Sequence, residues 1–280
     1  MLESDEVEIN SGIHNGLTTG APICLVINNK DFNEKPPFTK YRPGHADFAG
    51  SEKYALDDLR DVLERASARK TAIEVAVGAV AKLILKEFEV EGFSKILQIG
   101  NAVEKFEKEI DNAREKGDSL GGKFEVIYKN LPVGLGSYVH FDRALDGKLA
   151  QAVMSIGGVK AVEIGENPLG KNGSEYHDEM FLENEKIVRH TNNAGGIEGG
   201  MTNGEDLVVR AVMKPIPTMV KPLKTVDKSN MIECEAHFER SDVCAVESCA
   251  VVAESRIACV LADEILQKFG GDSKKEIFNR

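Results

Sequence analysis

Thr71-Ala-Ile-Glu-Val-Ala-Val-Gly-Ala-Val-Ala-Lys-Leu-Ile-Leu-Lys-Glu-Phe88 decides the fold class. Its apolar residues, from Ala72 and Ile73 through Val80 to Leu85 and Phe88, cover nearly the whole circumference of a helix. A helix apolar all round belongs inside a protein. A second one is expected over Val246–Phe269, around Ile257, Val260, Leu261, Ile265 and Leu266. Glu74 and Lys82 interrupt the first, and Glu254, Arg256, Asp263 and Glu264 the second, so neither has the roughly eighteen uncharged residues of a membrane span. Strand-like runs at Ala21–Asn28, Phe124–Lys129, Val159–Ile164 and Leu207–Met213 supply sheets to cover the helices. The pattern predicts an α+β fold, a β-α-β sandwich with central buried helices flanked by antiparallel sheets.

Outward from these elements the signals weaken. Ala102–Lys116 reads as a charged surface helix with a thin apolar stripe of Phe106 and Ile110. Asp142–Ile156 reads as another helix, with Asp142 as its cap. Gly165–Glu179 is polar and glycine-bearing, hence a loop. No segment has the composition of a linker, so a single domain over residues 1–280 is expected.

The strands are entered in a repeated way. Gly12-Ile13-x-x-Gly16-x-Thr18-x-Gly20 and Gly196-Ile197-x-x-Gly200-x-Thr202-x-Gly204 share five residues at one offset, 184 positions from Gly12 to Gly196. Each leads into a strand, then an arginine-containing turn and a long apolar helix, which predicts a pseudo-two-fold internal repeat. The second copy lies in Asn192-Asn-Ala-Gly-Gly-Ile-Glu-Gly-Gly-Met-Thr-Asn-Gly-Glu205, and its strand ends in Lys214-Pro-Ile-Pro-Thr218. Glycines at positive φ can turn bare N–H groups toward an anion, and the proline-flanked Lys214 adds a fixed cation.

A formal charge of −11 argues against a general nucleic-acid surface, so a site for an anion must concentrate cations locally. Arg42, Arg65, Arg69, Lys214 and Arg240 are the candidates, and Arg65 and Arg69, four apart, would share a helical face. His45, in Arg42-Pro-Gly-His-Ala-Asp47, is the candidate proton-transfer group; Ser67 and Asp242 are candidate helix caps. The five cysteines, Cys24, Cys234, Cys244, Cys249 and Cys259, form no C-x-x-C pair and are odd in number, which favours reduced thiols in a cytoplasmic protein over disulfides or zinc. The acidic start, Met1 to Glu6, has no signal-peptide core.

The ordered series Thr18-Thr-Gly-Ala-Pro-Ile23, Arg42-Pro-Gly-His-Ala-Asp47, Arg65-Ala-Ser-Ala-Arg69, Gly136-Ser-Tyr-Val-His-Phe-Asp-Arg143, Asn192 to Gly204, Lys214-Pro-Ile-Pro-Thr218 and Arg240-Ser-Asp-Val-Cys-Ala-Val246 resembles the chorismate synthase family over almost the entire chain. The resemblance implies a homotetramer, and the composition adds the expectation of a cytoplasmic protein without metal, nucleic acid or membrane partner. It would bind reduced FMN and convert 5-enolpyruvylshikimate 3-phosphate to chorismate by anti-1,4-elimination of phosphate. Carried over by motif, His45 would protonate or stabilise the reduced flavin, and Asp242 with Ser67 would assist proton removal. Arg65, Ala66, Ser67, Gly157, Gly158, Gly199, Lys214, Pro215, Ile216, Pro217, Thr218 and Arg240 match the FMN-contacting segments. Arg69 and Arg240 would face the substrate. NADPH is the candidate reductant, although no G-x-G-x-x-G fingerprint is present.

The chain also departs from the family pattern. It has no Gly-Glu-Ser-His-Gly, whose histidine is the family's other catalytic acid, and His14, His140, His177, His190 and His237 stand in other contexts. Lys70 replaces the usual glutamate, Gly157-Gly158 a polar residue and alanine, and Glu247 and Arg256 put charge where less is usual. The expectation is an N-terminally truncated chain of impaired activity and stability; the alternative is an inactive paralogue that binds flavin or only oligomerises.

Overall fold

The computed structural model describes residues 5–30 and 36–278; Met1–Ser4, and with them most of the acidic start, lie outside the described residues. By chain contacts the protein divides into two compact units, one of residues 1–76, 98–122 and 214–245, the other of 77–97, 123–213 and 246–280.

The second unit carries the larger sheet. Strands Glu91–Ile99, Gly122–Lys129, Leu207–Met213 and Val159–Ile164 lie side by side in that order, the last two antiparallel, with Arg210 opposite Glu163. Alternation assigns the faces. Phe124, Val126 and Tyr128 on one strand, and Leu207, Val209 and Ala211 on the next, are buried. Between them Glu125 and Arg210 pair across the strands at 2.5 Å, Lys95 pairs with Glu125 at 2.8 Å, and Arg210 reaches Glu166 at 2.9 Å. One face is thus hydrocarbon core, and the other sets paired charges among the apolar Val208 and Val212, with Glu125 itself buried between its two cations.

Against the core face lies helix Val246–Phe269, whose Val246, Val252, Ile257, Leu261 and Ile265 are buried. Each such aliphatic side chain contributes about 1.5–3 kcal/mol of burial. Helix Leu145–Met154 packs on it through Leu145, Leu149 and Val153. The Val77–Glu87 part of helix Thr71–Glu87 approaches most closely at Gly78, where a Cβ would stand 2.3 Å from that of Ser255; only the missing side chain permits this crossing. Arg256, the unexpected cation, donates to the Ala152 carbonyl at 3.0 Å and the Ser155 hydroxyl at 2.6 Å, at the C-terminal end of helix Leu145–Met154. A cation there complements the helix dipole.

The first unit is built from smaller pieces. Strand Val7–Ser11 pairs antiparallel with Cys24–Ile27, and Lys224–Asp227 with Ile232–Glu235. Helices Asp47–Tyr54 and Leu59–Ala66 pack together, and Phe106–Glu115 is a further helix of this unit. Asp58 caps the second of these, accepting from the Arg60 N–H at 2.8 Å.

The repeat is real at the level of backbone pairing. Ile13 faces Thr18 and His14 faces Leu17; at the same offset Ile197 faces Thr202 and Glu198 faces Met201. Thr19 N–H donates to Gly12 O and Asn203 N–H to Gly196 O, both at 3.0 Å. Gly12 (φ +86°) and Gly196 (φ +81°) occupy the left-handed region, and a Cβ on either would meet backbone at 2.6 Å, Ile23 Cα in one case and Asp206 O in the other.

Four local expectations are corrected. Helix Thr71–Glu87 buries Gly78, Ala81 and Leu85, but Leu83 is 66% and Val77 47% exposed, because a uniformly apolar pattern does not say that every side has a neighbour. The charged helix is Phe106–Glu115, shorter than expected because Lys105 adopts a left-handed conformation at its start. Asp142 caps nothing; it lies in a 3-10 turn, Phe141–Arg143, ahead of helix Leu145–Met154. Within Gly165–Glu179 a short helix, Gly173–Tyr176, forms because Asn172 and Glu175 close a capping box.

Candidate functional site

The Arg42–Asp47 turn and the Lys214–Thr218 segment are joined within the first unit. Lys214 Nζ donates to the Gly44 carbonyl, and a Cβ on Gly44 would lie 3.5 Å from that of Pro217. Arg42 Nη1 donates to Thr218 Oγ1 at 3.3 Å. Arg42 and Asp47 are buried as an ion pair, with Nη2 to Oδ1 and Nε to Oδ2 both at 2.8 Å; Asp47 Oδ1 also lies 2.5 Å from His45 Nδ1. Burial alone would raise the Asp47 carboxyl pKa, but the hydrogen bonds from Arg42 and then His45 outweigh it and hold the carboxyl well below the usual carboxylate range. His45 and Gly44 line an open cavity of about 770 Å³ with Tyr41, Phe48, Glu52 and Lys228.

The Arg240–Asp242 turn joins the same segment, since the Ser241 hydroxyl donates to the Thr218 carbonyl at 2.9 Å. Arg240 and Asp242, on either side, are exposed. Ser119 Oγ donates to the Ile216 carbonyl at 2.6 Å and fixes the segment's middle. His45, Lys214, Pro215, Ile216, Pro217, Thr218, Arg240 and Asp242 thus share one hydrogen-bonded neighbourhood.

Arg65, Ala66 and Ser67 end helix Leu59–Ala66, which the Arg60–Glu239 ion pair at 2.7 Å ties to the residue before Arg240. Ser67 leaves the helix at φ −59°, ψ 143° and its Oγ accepts from Arg69 N–H at 3.2 Å, so it does cap the 3-10 turn Ala68–Lys70. The same break corrects the expected fork: Arg65 and Arg69 do not share a helical face. Arg69 instead grips Asp5 through two bonds of 2.6 and 2.7 Å.

Gly157, Gly158 and Gly199 belong to the second unit. A Cβ on Gly157 or Gly199 would meet nothing within 4 Å, whereas one on Gly158 would press on the Met213 side chain at 3.1 Å. The sequence offered no sign of Asp178, which carries much of the glycine-rich turn's geometry. Its carboxylate accepts from Thr191 Oγ1 at 2.6 Å and from the N–H groups of Asn193 and Ala194 at 2.8 and 2.9 Å. A lone acid in a polar loop gives no periodic signal; only its contacts reveal it.

Fold and site together define an α+β protein of doubled plan, with an anion-compatible array of cations, carboxylate and imidazole around a proline-braced segment. A family model described as chorismate synthase matches residues 1–266. The chorismate synthase of Thermoanaerobacter pseudethanolicus is 53% identical over 289 aligned positions, spanning 99% of this chain and 82% of the relative. That of Caldicellulosiruptor bescii is 46% identical over 328 positions, covering 100% of this chain and 86% of the relative. An alignment of that length against 280 residues means that this relative carries internal residues with no counterpart here. A solved structure titled "Crystal Structure of Chorismate Synthase" superposes with a TM-score of 0.82 at 38% identity, covering 98% of this chain and 82% of that one. The chain belongs to the chorismate synthase family and is a lyase of the shikimate pathway. These matches do not confirm the expected missing segment or impaired activity.

Proposed function

We propose that the chain converts 5-enolpyruvylshikimate 3-phosphate to chorismate with reduced FMN, by anti-1,4-elimination of phosphate. The observation that carries this reading is the joining of the His45 turn to Lys214–Thr218 through Lys214 and Arg42. It puts an imidazole and an ammonium group on one rigid frame, as ligands bearing phosphate and carboxylate require. The donor set fits FMN. Arg65, Lys214 and Arg240, all in the first unit, supply charge for a phosphate; in the second unit, Gly157 and Gly199 have open space where a side chain would stand, so their backbones can be approached. The chemistry such a cofactor would supply is electron density while the carbon–oxygen bond to phosphate breaks, returned as the carbon–hydrogen bond breaks, with no net redox change.

The chain's own residues then have distinct tasks. Lys214 to Thr218, with Arg65, Ala66, Ser67 and Arg240, bind the flavin; Arg69 and Arg240 face the substrate; His45 supplies a proton or positive charge to the flavin. Asp242 with Ser67 assists removal of the substrate proton. NADPH serves as reductant, and the working form is a cytoplasmic homotetramer. Support for association comes from Val77 and Leu83, apolar side chains exposed on one helix. No helix among the described residues is long and apolar enough to cross a membrane.

Anaerobic phosphate release from the substrate with reduced FMN tests the reading. Release at a rate that collapses in His45→Gln supports it, whereas tight FMN binding without release would favour the inert paralogue. Light scattering tests the tetramer, and NADPH oxidation without substrate tests the source of reducing equivalents.

A further inference from the structure

We propose that Asp47 is a positioning residue for His45: it fixes the ring with a proton on Nδ1 and leaves Nε2 as the nitrogen that acts on a ligand in the adjoining cavity, while Arg42 holds Asp47 in place. The inference rests on the reading of His45 given above and extends it to two residues with no assigned role.

The contacts place a hydrogen on Nδ1. An ionised carboxylate only accepts, so the 2.5 Å contact between Asp47 Oδ1 and His45 Nδ1 requires the hydrogen on the ring nitrogen. Arg42 Nη2 also lies 2.9 Å from Nδ1, but a guanidinium only donates and cannot donate to a nitrogen that already carries a hydrogen. It serves the shared carboxylate oxygen, 2.8 Å away. Asp47 Oδ2 is held by Arg42 Nε at 2.8 Å and by the Arg42 backbone N–H at 3.0 Å, so both of its oxygens are engaged. The carboxylate is 0% exposed and cannot swing toward water.

Nε2 has no partner among the described residues, and the ring lines the 770 Å³ cavity. The charged groups around the turn are Arg42 and Asp47 beneath it, Lys214 against the Gly44 carbonyl, and Glu52 and Lys228 on the cavity wall. Because Arg42 also reaches Thr218, the device that orients the imidazole is continuous with the segment assigned to the flavin. A buried carboxylate that selects the tautomer of an imidazole is a general way to hold a proton-transfer group ready.

The test is nitrogen-15 NMR of histidine-labelled full chain, with His45 assigned by loss of its signals in His45→Gln. The expected result is an Nδ1–H tautomer for neutral His45; an Nε2–H tautomer overturns the proposal. In Asp47→Asn the side-chain amide can donate to Nδ1, so the tautomer should switch. The same variant should lose about 10²-fold or more in kcat with KM little changed, and Asp47→Glu should recover part of the loss. Unchanged kcat in a folded Asp47→Asn protein overturns the proposal; if that variant does not fold, the wild-type tautomer decides. Normal turnover by His45→Gln would overturn the role given to Nε2 and the catalytic reading of His45 together, whereas a wrong tautomer alone removes only the assignment of Asp47.

Discussion

The two glycine-bearing hairpins share a sequence grammar, a register and even the backbone atoms their glycines approach, yet one is packed and the other stands open. In the second, Thr202 is 2% exposed; its Oγ1 accepts from Leu135 N–H at 2.8 Å and donates to the Pro132 carbonyl at 2.6 Å. Gly200 O accepts from Leu145 N–H at 2.9 Å, which ties this hairpin to the start of a core helix. In the first, residues 13–20 are all exposed and Leu17 is 73% exposed. Local spacing of glycine and threonine therefore encodes a hairpin's shape, while its energetic weight is set by what packs on it. The lysines at the strand exits repeat the contrast. Lys30 stands at the same offset from Lys214 as the glycines do, but it pairs with exposed Glu6 at 2.9 Å, whereas Lys214 is fastened to the His45 turn.

The largest effect should come from adding one methyl group to each hairpin. Gly196→Ala forces a side chain into φ +81° and against Asp206 O, in a hairpin locked on both sides. We expect about 3 kcal/mol or more of lost stability. Gly12→Ala meets an equal local clash at Ile23, but the exposed hairpin can shift, so the loss should be nearer 1 kcal/mol. Urea midpoints measure both, and equal losses would break the comparison. Next in size, Thr202→Val leaves the buried Leu135 N–H without its acceptor and should cost about 1–3 kcal/mol. Thr18→Val, on an exposed edge, should stay within about 0.5 kcal/mol in the same measurement. The lysines sharpen the contrast as binding rather than folding. Lys214→Ala should weaken FMN binding roughly tenfold or more, the weight of one charge-assisted hydrogen bond, and Lys30→Ala should leave it unchanged by fluorescence titration.

What could be read from the sequence follows the same division. Periodic and spacing signals were sound: helix Val246–Phe269, strands Val159–Ile164 and Leu207–Met213, and the repeat all stand where hydrophobic pattern and glycine spacing put them. Signals that depend on a single residue or a distant partner were not. Ser67 breaks the helix that would have aligned Arg65 with Arg69, because its hydroxyl offers Arg69 N–H a bond outside the α-helix. Arg42 reads as one of five candidate cations for an anion site, and only the fold shows it buried between Asp47 and Thr218. The exposure of Leu83 was hidden too, since composition records that a face is apolar but not what covers it.

The smallest expected effect separates the entrances of the two hairpins. The first is entered from strand Val7–Ser11, clamped by neutral backbone pairing with Cys24–Ile27. The second is entered through Thr191–Ala194, clamped by the Asp178 carboxylate. Partial burial would raise the Asp178 pKa, but the bonds from Thr191, Ala194 and Asn193 prevail and hold it below its ordinary value. A carboxyl lowered in the folded state stabilises above its unfolded pKa of about 3.9 and loses that contribution as pH falls through the folded pKa. Amide exchange at Asn193 and Ala194 should therefore accelerate relative to that at the hydrogen-bonded amides of the Val7–Ser11 and Cys24–Ile27 pair as pH drops below about 4, after correction for intrinsic rates. Asp178→Asn should abolish the difference in pH dependence, since an amide in the same place neither titrates nor matches the carboxylate's acceptance from three donors. Parallel loss of protection at both entrances would show that acid opens the whole protein rather than this one clamp.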